Sequence, residues 1–271
     1  MTSSALSTRD RSPSAGFWKD KKVLLTGHTG FKGSWLSAWL LELGAYVQGL
    51  ALEPNTTPSM FAALGLEKRM LHADCDVRQL AAVAEIFERF TPDIVLHLAA
   101  QPLVRESYAN PVDTYSTNVM GTVNVLECAR QSPSVRSTVI VTTDKCYENR
   151  EWLWGYREND RLGGHDPYSS SKACAELVVQ AYLSSYDPSA GIASARAGNV
   201  IGGGDWCANR LVPDATRAFS SKEILSIRSP LATRPWQHVL EPLRGYLVLA
   251  EGLVEDASQH RGAWNFGPDD E

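Results

Sequence analysis

The sequence predicts an α/β fold, a doubly wound parallel sheet that carries most of the chain, followed by a smaller, incomplete C-terminal substrate domain. Three observations predict it. Short apolar runs alternate with longer amphipathic ones from Lys22 onward, the first run leads straight into a glycine-rich turn, and no internal repeat interrupts the alternation. Strand and helix by turns imply a parallel sheet covered on both faces.

The elements follow in order. Residues 1–19, MTSSALSTRDRSPSAGFWK, are Ser-rich, carry charge in the middle and lack an apolar segment, so they read as a disordered tail and not as a secretory signal. The runs VLLT (23–26), YVQGLA (46–51), DIVLHLAA (93–100), STVIVT (137–142) and IASARAG (192–198) read as strands. Between them FKGSWLSAWLLELG, RQLAAVAEIFERF and NPVDTYSTNVMGTVNVLECARQ repeat apolar residues at spacings of three and four, as helices do. A further apolar-periodic helix starts within DPYSSSKACAELVVQAYLSSY.

Composition narrows the partners. The 271 residues are 44% hydrophobic, enough to fill a sizeable core. A formal net charge of -5 gives no electrostatic ground for a nucleic acid or an acidic membrane, so any anion has to be bound locally. The five cysteines, Cys75, Cys128, Cys146, Cys174 and Cys207, stand without CxxC pairs. Neither a metal site nor a disulfide framework is indicated, and a reducing cytoplasm is expected. No run reaches the roughly 18 apolar residues of a membrane helix.

TGHTGFKG follows the first strand and opens the first long helix, with Gly27, Gly30 and Gly33 in a G-x-x-G-x-x-G pattern. Glycines let the backbone turn tightly and approach a pyrophosphate, and the helix behind them offers N–H groups and a positive dipole end. Gly27, Thr29, Gly30, Phe31, Lys32 and Gly33 are therefore the candidate dinucleotide cradle. An acidic residue is expected about 20 positions on, holding a ribose hydroxyl. Glu53 stands there, either in that role or as a loop residue ahead of Pro54, and no Arg beside it awaits a 2′-phosphate, which selects NAD. Asp76, in ADCDVR, either takes the adenine amino group or caps the helix that follows.

TTDKCYEN (142–149) sets Thr143, Asp144 and Lys145 where an apolar run ends. That is either a surface turn or an active site, because open α/β sheets place their chemistry at the carboxyl ends of strands. Tyr168 and Lys172, four apart at a helix start, share one helix face. A phenol ionises near pH ~10, and a neighbouring ammonium favours the phenolate, so the pair is either a solvated helix face or, following a nucleotide fold, a hydride-transfer base.

Taken together, the three glycines, HLAAQ, the helix with Asn118 and Tyr168-Ser-Ser-Ser-Lys172 resemble the extended short-chain dehydrogenase/reductase superfamily over essentially the whole chain after the tail. Within it, TTDKCYEN, AGNVIGGGDWCANRLVPD and RPWQHVLEPLRGYL resemble the sugar-nucleotide dehydratases that act on CDP-glucose. Related dehydratases of dTDP- or GDP-sugars generally carry Thr-Asp-Glu where this chain has Thr143, Asp144 and Lys145.

The resemblance implies a Rossmann-type nucleotide domain over 20–203, with Ala99 and Ala100 against bound NAD, and a substrate domain beginning at 204, from which 236–267 returns to pack on the first. It implies oxidation at carbon-4, elimination of water across carbons 5 and 6, and hydride return to carbon-6. Tyr168 would accept the carbon-4 hydroxyl proton as hydride passes to NAD, Lys172 would hold the phenolate and the nicotinamide ribose, and Thr143 would bond the same oxygen. Protonated Asp144 would donate to the departing hydroxyl. Lys145 would lie at the carbon-5 proton, either as a base of depressed pKa or as an ammonium that stabilises an enolate. Asn199, Arg210 and Arg234 fall in the resembling stretches as candidate diphosphate ligands; the alternatives are a loop-holding Asn and two surface arginines. His238 reads as structural. A homodimer or homotetramer built through helices near 111–132 and 168–186 is also implied.

The chain stops at WNFGPDDE, soon after a late strand, whereas members of the superfamily are expected to continue, so it reads as a truncated polypeptide. Two rivals share its features. An epimerase or decarboxylase of the same superfamily needs no acid at Asp144, and a non-catalytic NAD-binding module needs none of Thr143, Tyr168 and Lys172.

Overall fold

The computed structural model describes residues 11–186, 191–227 and 229–268. The chain enters through a short helix, α1 (Ala15–Trp18), whose N-terminus is capped by the Ser14 hydroxyl. This corrects the expectation of a disordered tail over 1–19, of which 1–10 lie outside the described residues. Trp18 is fully buried, and the Glu251 carboxylate accepts from its indole Nε1 at 2.7 Å, from the Ser14 amide at 2.7 Å and from Arg11 Nη2 at 3.0 Å. The Ser-rich composition hid one aromatic anchor and its distant partner.

Seven parallel strands form the main sheet in the order β3-β2-β1-β4-β5-β6-β9: β1 (Lys22–Thr26), β2 (Tyr46–Ala51), β3 (Leu71–Asp74), β4 (Ile94–His97), β5 (Ser137–Thr143), β6 (Gly191–Ala197) and β9 (Gly262–Phe266). A two-stranded parallel ribbon of β7 (Val200–Ile201) and β8 (Gln237–His238) stands beside it. Strand order reverses between β1 and β4, which opens a crevice at their carboxyl ends.

Helices cover both faces. α2 (Phe31–Glu42) follows β1, and a short α3 (Met60–Ala63) lies in the β2–β3 connection. α4 (Leu80–Phe90) packs with the later α7 (Gly121–Gln131). Their face buries Leu24, Leu50, Val83, Ile86, Phe87, Val95 and Val125. The opposite face buries Leu25, Leu36, Leu40, Ile94 and Leu96 together with Leu243, Tyr246, Leu247 and Leu249. Adjacent residues such as Leu24 and Leu25 thus point to opposite layers, as the two-residue strand period requires. The four from Leu243 onward lie on the late helix α10 (Leu240–Glu255), so this part of the chain shares the core of β1, β4, β5 and β6; α11 (Ala257–His260) follows it.

The helix expected over NPVDTYSTNVMGTVNVLECARQ is one rod with a wide turn inside it. α5 (Val104–Ala109) precedes α6 (Pro111–Tyr115), and a π-helical turn, Ser116–Met120, joins α6 to α7. Asn118, buried in that turn, accepts from the Gln101 amide at 2.8 Å and donates to Ser171 Oγ at 2.8 Å. It ties the segment after β4 to α8 (Pro167–Ser185). Beyond the ribbon's first strand, α9 (Leu211–Ser220) carries the 204–235 segment out over the crevice. No helix among the described residues is long and apolar enough to cross a membrane.

Candidate active site

A cleft of about 1610 Å³ opens at the carboxyl ends of the strands. Gly27 sits at φ +74°, and a Cβ there would stand 2.7 Å from the Ala99 amide nitrogen; a Cβ on Gly33 would stand 2.1 Å from the Gly27 carbonyl oxygen. Both glycines are therefore required by close backbone packing, and they let α2 begin directly at the cleft floor. α2 has no side-chain cap at Gly30, so its first amides face the cleft in the manner of an anion site. Thr29 donates its hydroxyl to the Leu52 carbonyl at 2.8 Å, linking the turn to the segment after β2. This cradle fits a dinucleotide pyrophosphate.

Further along the cleft, Glu53 and Asp76 both line the wall. Asp76 does not cap a helix, because α4 starts at Leu80 behind Gln79. Its carboxylate is instead gripped by Arg78, whose Nε donates to Oδ2 at 2.8 Å and whose amide donates to Oδ1 at 2.9 Å, and this holds the acid below the usual carboxylate range. Arg78 reaches across to Asp113 as well. Ala99 and Ala100 line the wall between these ends, and the Ala99 amide donates to Thr26 Oγ1 at 3.0 Å.

The end of β5 carries the charged turn. The Thr143 hydroxyl donates to Asp144 Oδ1 at 3.0 Å, and Lys145 Nζ lies 2.9 Å from the same oxygen. Lys145 also donates to Asn199 Oδ1 at 3.2 Å, so Asn199 is drawn to the lysine at the end of β6. Acid and base thus form a partly exposed ion pair, with Thr143 and Lys145 on the wall of the cleft.

Opposite stand Tyr168 and Lys172, both buried in the first turns of α8, which Asp166 caps by accepting from the Ser169 amide at 2.9 Å. Burial pushes the Tyr168 phenol up to about 12, while the nearby Thr143 hydroxyl and the charge of Arg210 favour its phenolate. Lys172 does not bond the phenol here. Its Nζ donates to the Val141 carbonyl at 3.1 Å, and burial lowers it to about 8 against the opposing charge of Glu176. Shared helix face was legible from the spacing; where the ammonium ends was not.

A third lysine, Lys32, reaches the same centre. Burial and then the charge of Arg210 lower it to about 8, and its Nζ stands 5.9 Å from the centre of the Tyr246 ring. Arg210 donates to Asp205 Oδ2 at 3.0 Å and Arg234 to the Thr233 carbonyl at 2.6 Å; both line the cleft. Arg105, which no spacing singled out, donates to Asn209 Oδ1 at 2.8 Å and so bridges the rim. His238 packs edge-on to Trp35 and accepts from the Leu240 amide at 3.3 Å. Lys32, Lys145, Lys172, Arg210 and Arg234 thus line one cleft although the chain is acidic overall.

Comparison with known proteins agrees with this geometry. The family model described as "NAD dependent epimerase/dehydratase family" matches residues 23–267. The CDP-glucose 4,6-dehydratase of Salmonella typhimurium is 53% identical over 262 residues, covering 94% of this chain and 73% of that one. A probable dTDP-glucose 4,6-dehydratase of Sinorhizobium fredii is 35% identical over 179 residues, 61% of this chain and 50% of that one. Among solved structures, a double mutant of the dTDP-glucose 4,6-dehydratase DesIV of Streptomyces venezuelae, with NAD and DAU bound, superposes with a TM-score of 0.78 at 25% identity over 90% of this chain and 75% of that one. The UDP-glucose 4-epimerase of Thermotoga maritima shares the fold, with a TM-score of 0.78 at 23% identity, covering 91% of this chain and 76% of that one. A chain that places a glycine cradle, a strand-end acid and a buried Tyr/Lys helix on one crevice, and matches the family model from β1 to β9, belongs to the NAD dependent epimerase/dehydratase family.

Proposed function

We propose that this chain is an NAD-dependent 4,6-dehydratase of CDP-glucose, forming CDP-4-dehydro-6-deoxyglucose. The observation that carries the reading is Asp144. It sits at the end of β5 within electrostatic reach of Tyr168, where an epimerase has no use for an acid. The 53% identity to a CDP-glucose dehydratase supports the CDP branch. NAD, when bound, supplies a hydride acceptor for carbon-4 and a hydride donor for carbon-6.

The residues do the proton work. Tyr168 takes the proton of the carbon-4 hydroxyl, and the Thr143 hydroxyl, near both Asp144 and Tyr168, orients that oxygen. The ketone at carbon-4 acidifies the proton on carbon-5. The ion pair of Asp144 and Lys145 holds one mobile proton: passed through Asp144 to the carbon-6 hydroxyl it lets that group depart as water, and the amine so left on Lys145 takes the carbon-5 proton. Arg210 and Arg234 turn from their present partners to the diphosphate, and the 204–235 segment forms the start of the substrate-binding domain.

The test incubates the chain with NAD and CDP-glucose, with dTDP-, UDP- and GDP-sugars in parallel, and follows the 4-keto-6-deoxy product by mass spectrometry. Product from CDP-glucose, with Asp144→Asn slower by on the order of a hundredfold, is expected. Unchanged turnover in Asp144→Asn would favour the epimerase or decarboxylase.

A homodimer completes the reading. Tyr108 (65% exposed), Val112 (82%), Met120 (50%) and Leu177 (55%) leave exposed apolar side chains on α5, α6, the π-helical turn and α8, which pack together. Light scattering is expected to give a dimer mass, and Val112→Asp to give a monomer; a wild-type monomer would exclude the interface.

A further inference from the structure

One turn below Lys172, and on the same face of α8, lies a carboxylate that the proton chemistry above leaves unused. Glu176 is fully buried. One of its oxygens accepts from the Thr142 hydroxyl, and the other accepts from Ser194 Oγ at 2.7 Å and Arg196 Nη2 at 2.7 Å. Arg196 is buried too, and its Nη1 donates to Tyr147 Oη at 2.7 Å and to the Glu158 carbonyl at 2.9 Å. Tyr147 passes the chain on to Asn265 Oδ1 at 2.7 Å. The carboxylate therefore ties together the strand residue just before Thr143, the segment just after Lys145, the neighbouring strand β6 and the edge strand β9.

A buried ion pair is a poor way to gain stability, because the desolvation of two charges cancels most of their attraction. What it does supply is geometry: three directed hydrogen bonds to one carboxylate. It also supplies a fixed negative charge. The groups that face Lys172 are Glu176 on its own helix, Cys146 after β5, His97 on β4 and Lys32 on α2. Cys146 is a buried thiol pushed up to about 12 and His97 is a buried imidazole lowered to about 3, both by desolvation, so neither carries charge near neutrality. Glu176 is the one carboxylate among them.

We propose that Glu176 is a positioning residue, which fixes the strand end of Thr143, Asp144 and Lys145 against the helix face of Tyr168 and Lys172 and supplies the counter-charge to Lys172. The inference rests on the dehydratase reading for its turnover readout, and on the ionisation of Lys172 independently of that reading. The sign follows from the charges. Burial lowers Lys172 and Glu176 raises it, so removal of the carboxylate lowers it further. The limb of activity that needs the ammonium, lost as pH rises, moves to lower pH.

Glu176→Gln alone strands a buried Arg196 without counter-charge and threatens the fold. The paired replacement Glu176→Met with Arg196→Met keeps volume and neutrality, and is the variant to compare with wild type. Lys172 is titrated by NMR of isotope-labelled lysine side chains, and kcat and KM for CDP-glucose are followed against pH. In the folded double variant, Lys172 is expected to titrate about one unit lower, with the basic limb moving alike. The value of kcat is expected to fall on the order of ten- to a hundredfold with KM little changed. A folded double variant with wild-type Lys172 titration and wild-type kcat overturns the proposal. If wild type itself makes no 4-keto-6-deoxy product, the dehydratase reading fails alone, and the titration decides: an unshifted Lys172 overturns the role of Glu176, a shifted one supports it.

Discussion

Tyr168→Phe is expected to lose roughly a thousandfold in turnover of CDP-glucose while still binding NAD, because a positioned acid–base group contributes about 10²–10⁴ and the phenyl ring keeps the packing. Tyr168 is buried among groups that leave its phenol neutral at pH 7: desolvation pushes it up to about 12, against the help of Thr143 and Arg210. The phenolate fraction therefore grows with rising pH, tenfold per unit below the pKa, and the oxidation step should speed up on the acidic side until Lys172 loses its proton near 8. Arg210, which favours the phenolate, matters twice if it also meets the diphosphate. Stopped-flow absorbance of the reduced nicotinamide in single turnovers measures the oxidation step directly. Retention of more than about a tenth of the wild-type rate in Tyr168→Phe would remove Tyr168 from the role of base.

Trp18→Ala is expected to destabilise the fold by about 3–5 kcal/mol, the usual result of emptying a buried indole site. Trp18 is fully buried in the core of α2 and α10, and its loss also takes one of the donors from Glu251. Burial raises the pKa of Glu251, and the Ser14, Trp18 and Arg11 contacts oppose that rise. Removing the indole donor therefore leaves the carboxylate worse solvated at neutral pH. Because the folded pKa is raised, this penalty is present above it and relieved as pH falls through it, so the defect of Trp18→Ala should shrink on mild acidification. Urea unfolding at neutral and mildly acidic pH measures both quantities. A loss below about 1 kcal/mol would mean that the N-terminal helix contributes little to the core.

The central strands were legible because their surroundings leave a mark on composition. β5 is buried along its whole length and reads as a continuous apolar run, whereas β3, LHAD at the sheet edge, is largely exposed and has no such run. The glycine cradle was legible because backbone crowding at Gly27 and Gly33 admits no other residue. Thr143, Lys145, Tyr168 and Lys172 line one cleft, with Asp144 paired to Lys145, because strand end and helix start meet in this topology. What could not be read were partners chosen across the chain. Trp18 finds Glu251, Asn199 is taken by Lys145, and the Lys172 ammonium ends on a backbone carbonyl. Glu176 did have a signal, its four-residue spacing from Lys172, but the arginine that neutralises it comes from another strand.

The position of α10 sets an order of events during synthesis. β1 is made early, yet the face that holds Leu25 is closed by Leu243, Tyr246 and Leu247, and the latch between Trp18 and Glu251 spans most of the chain. A nascent polypeptide must therefore carry an open apolar layer until α10 has left the ribosome. Contacts of such long sequence separation slow folding and prolong the exposure of aggregation-prone surface. Chain released before residue 240 lacks the helix that closes this layer, and chaperone dependence should fall sharply once α10 is complete.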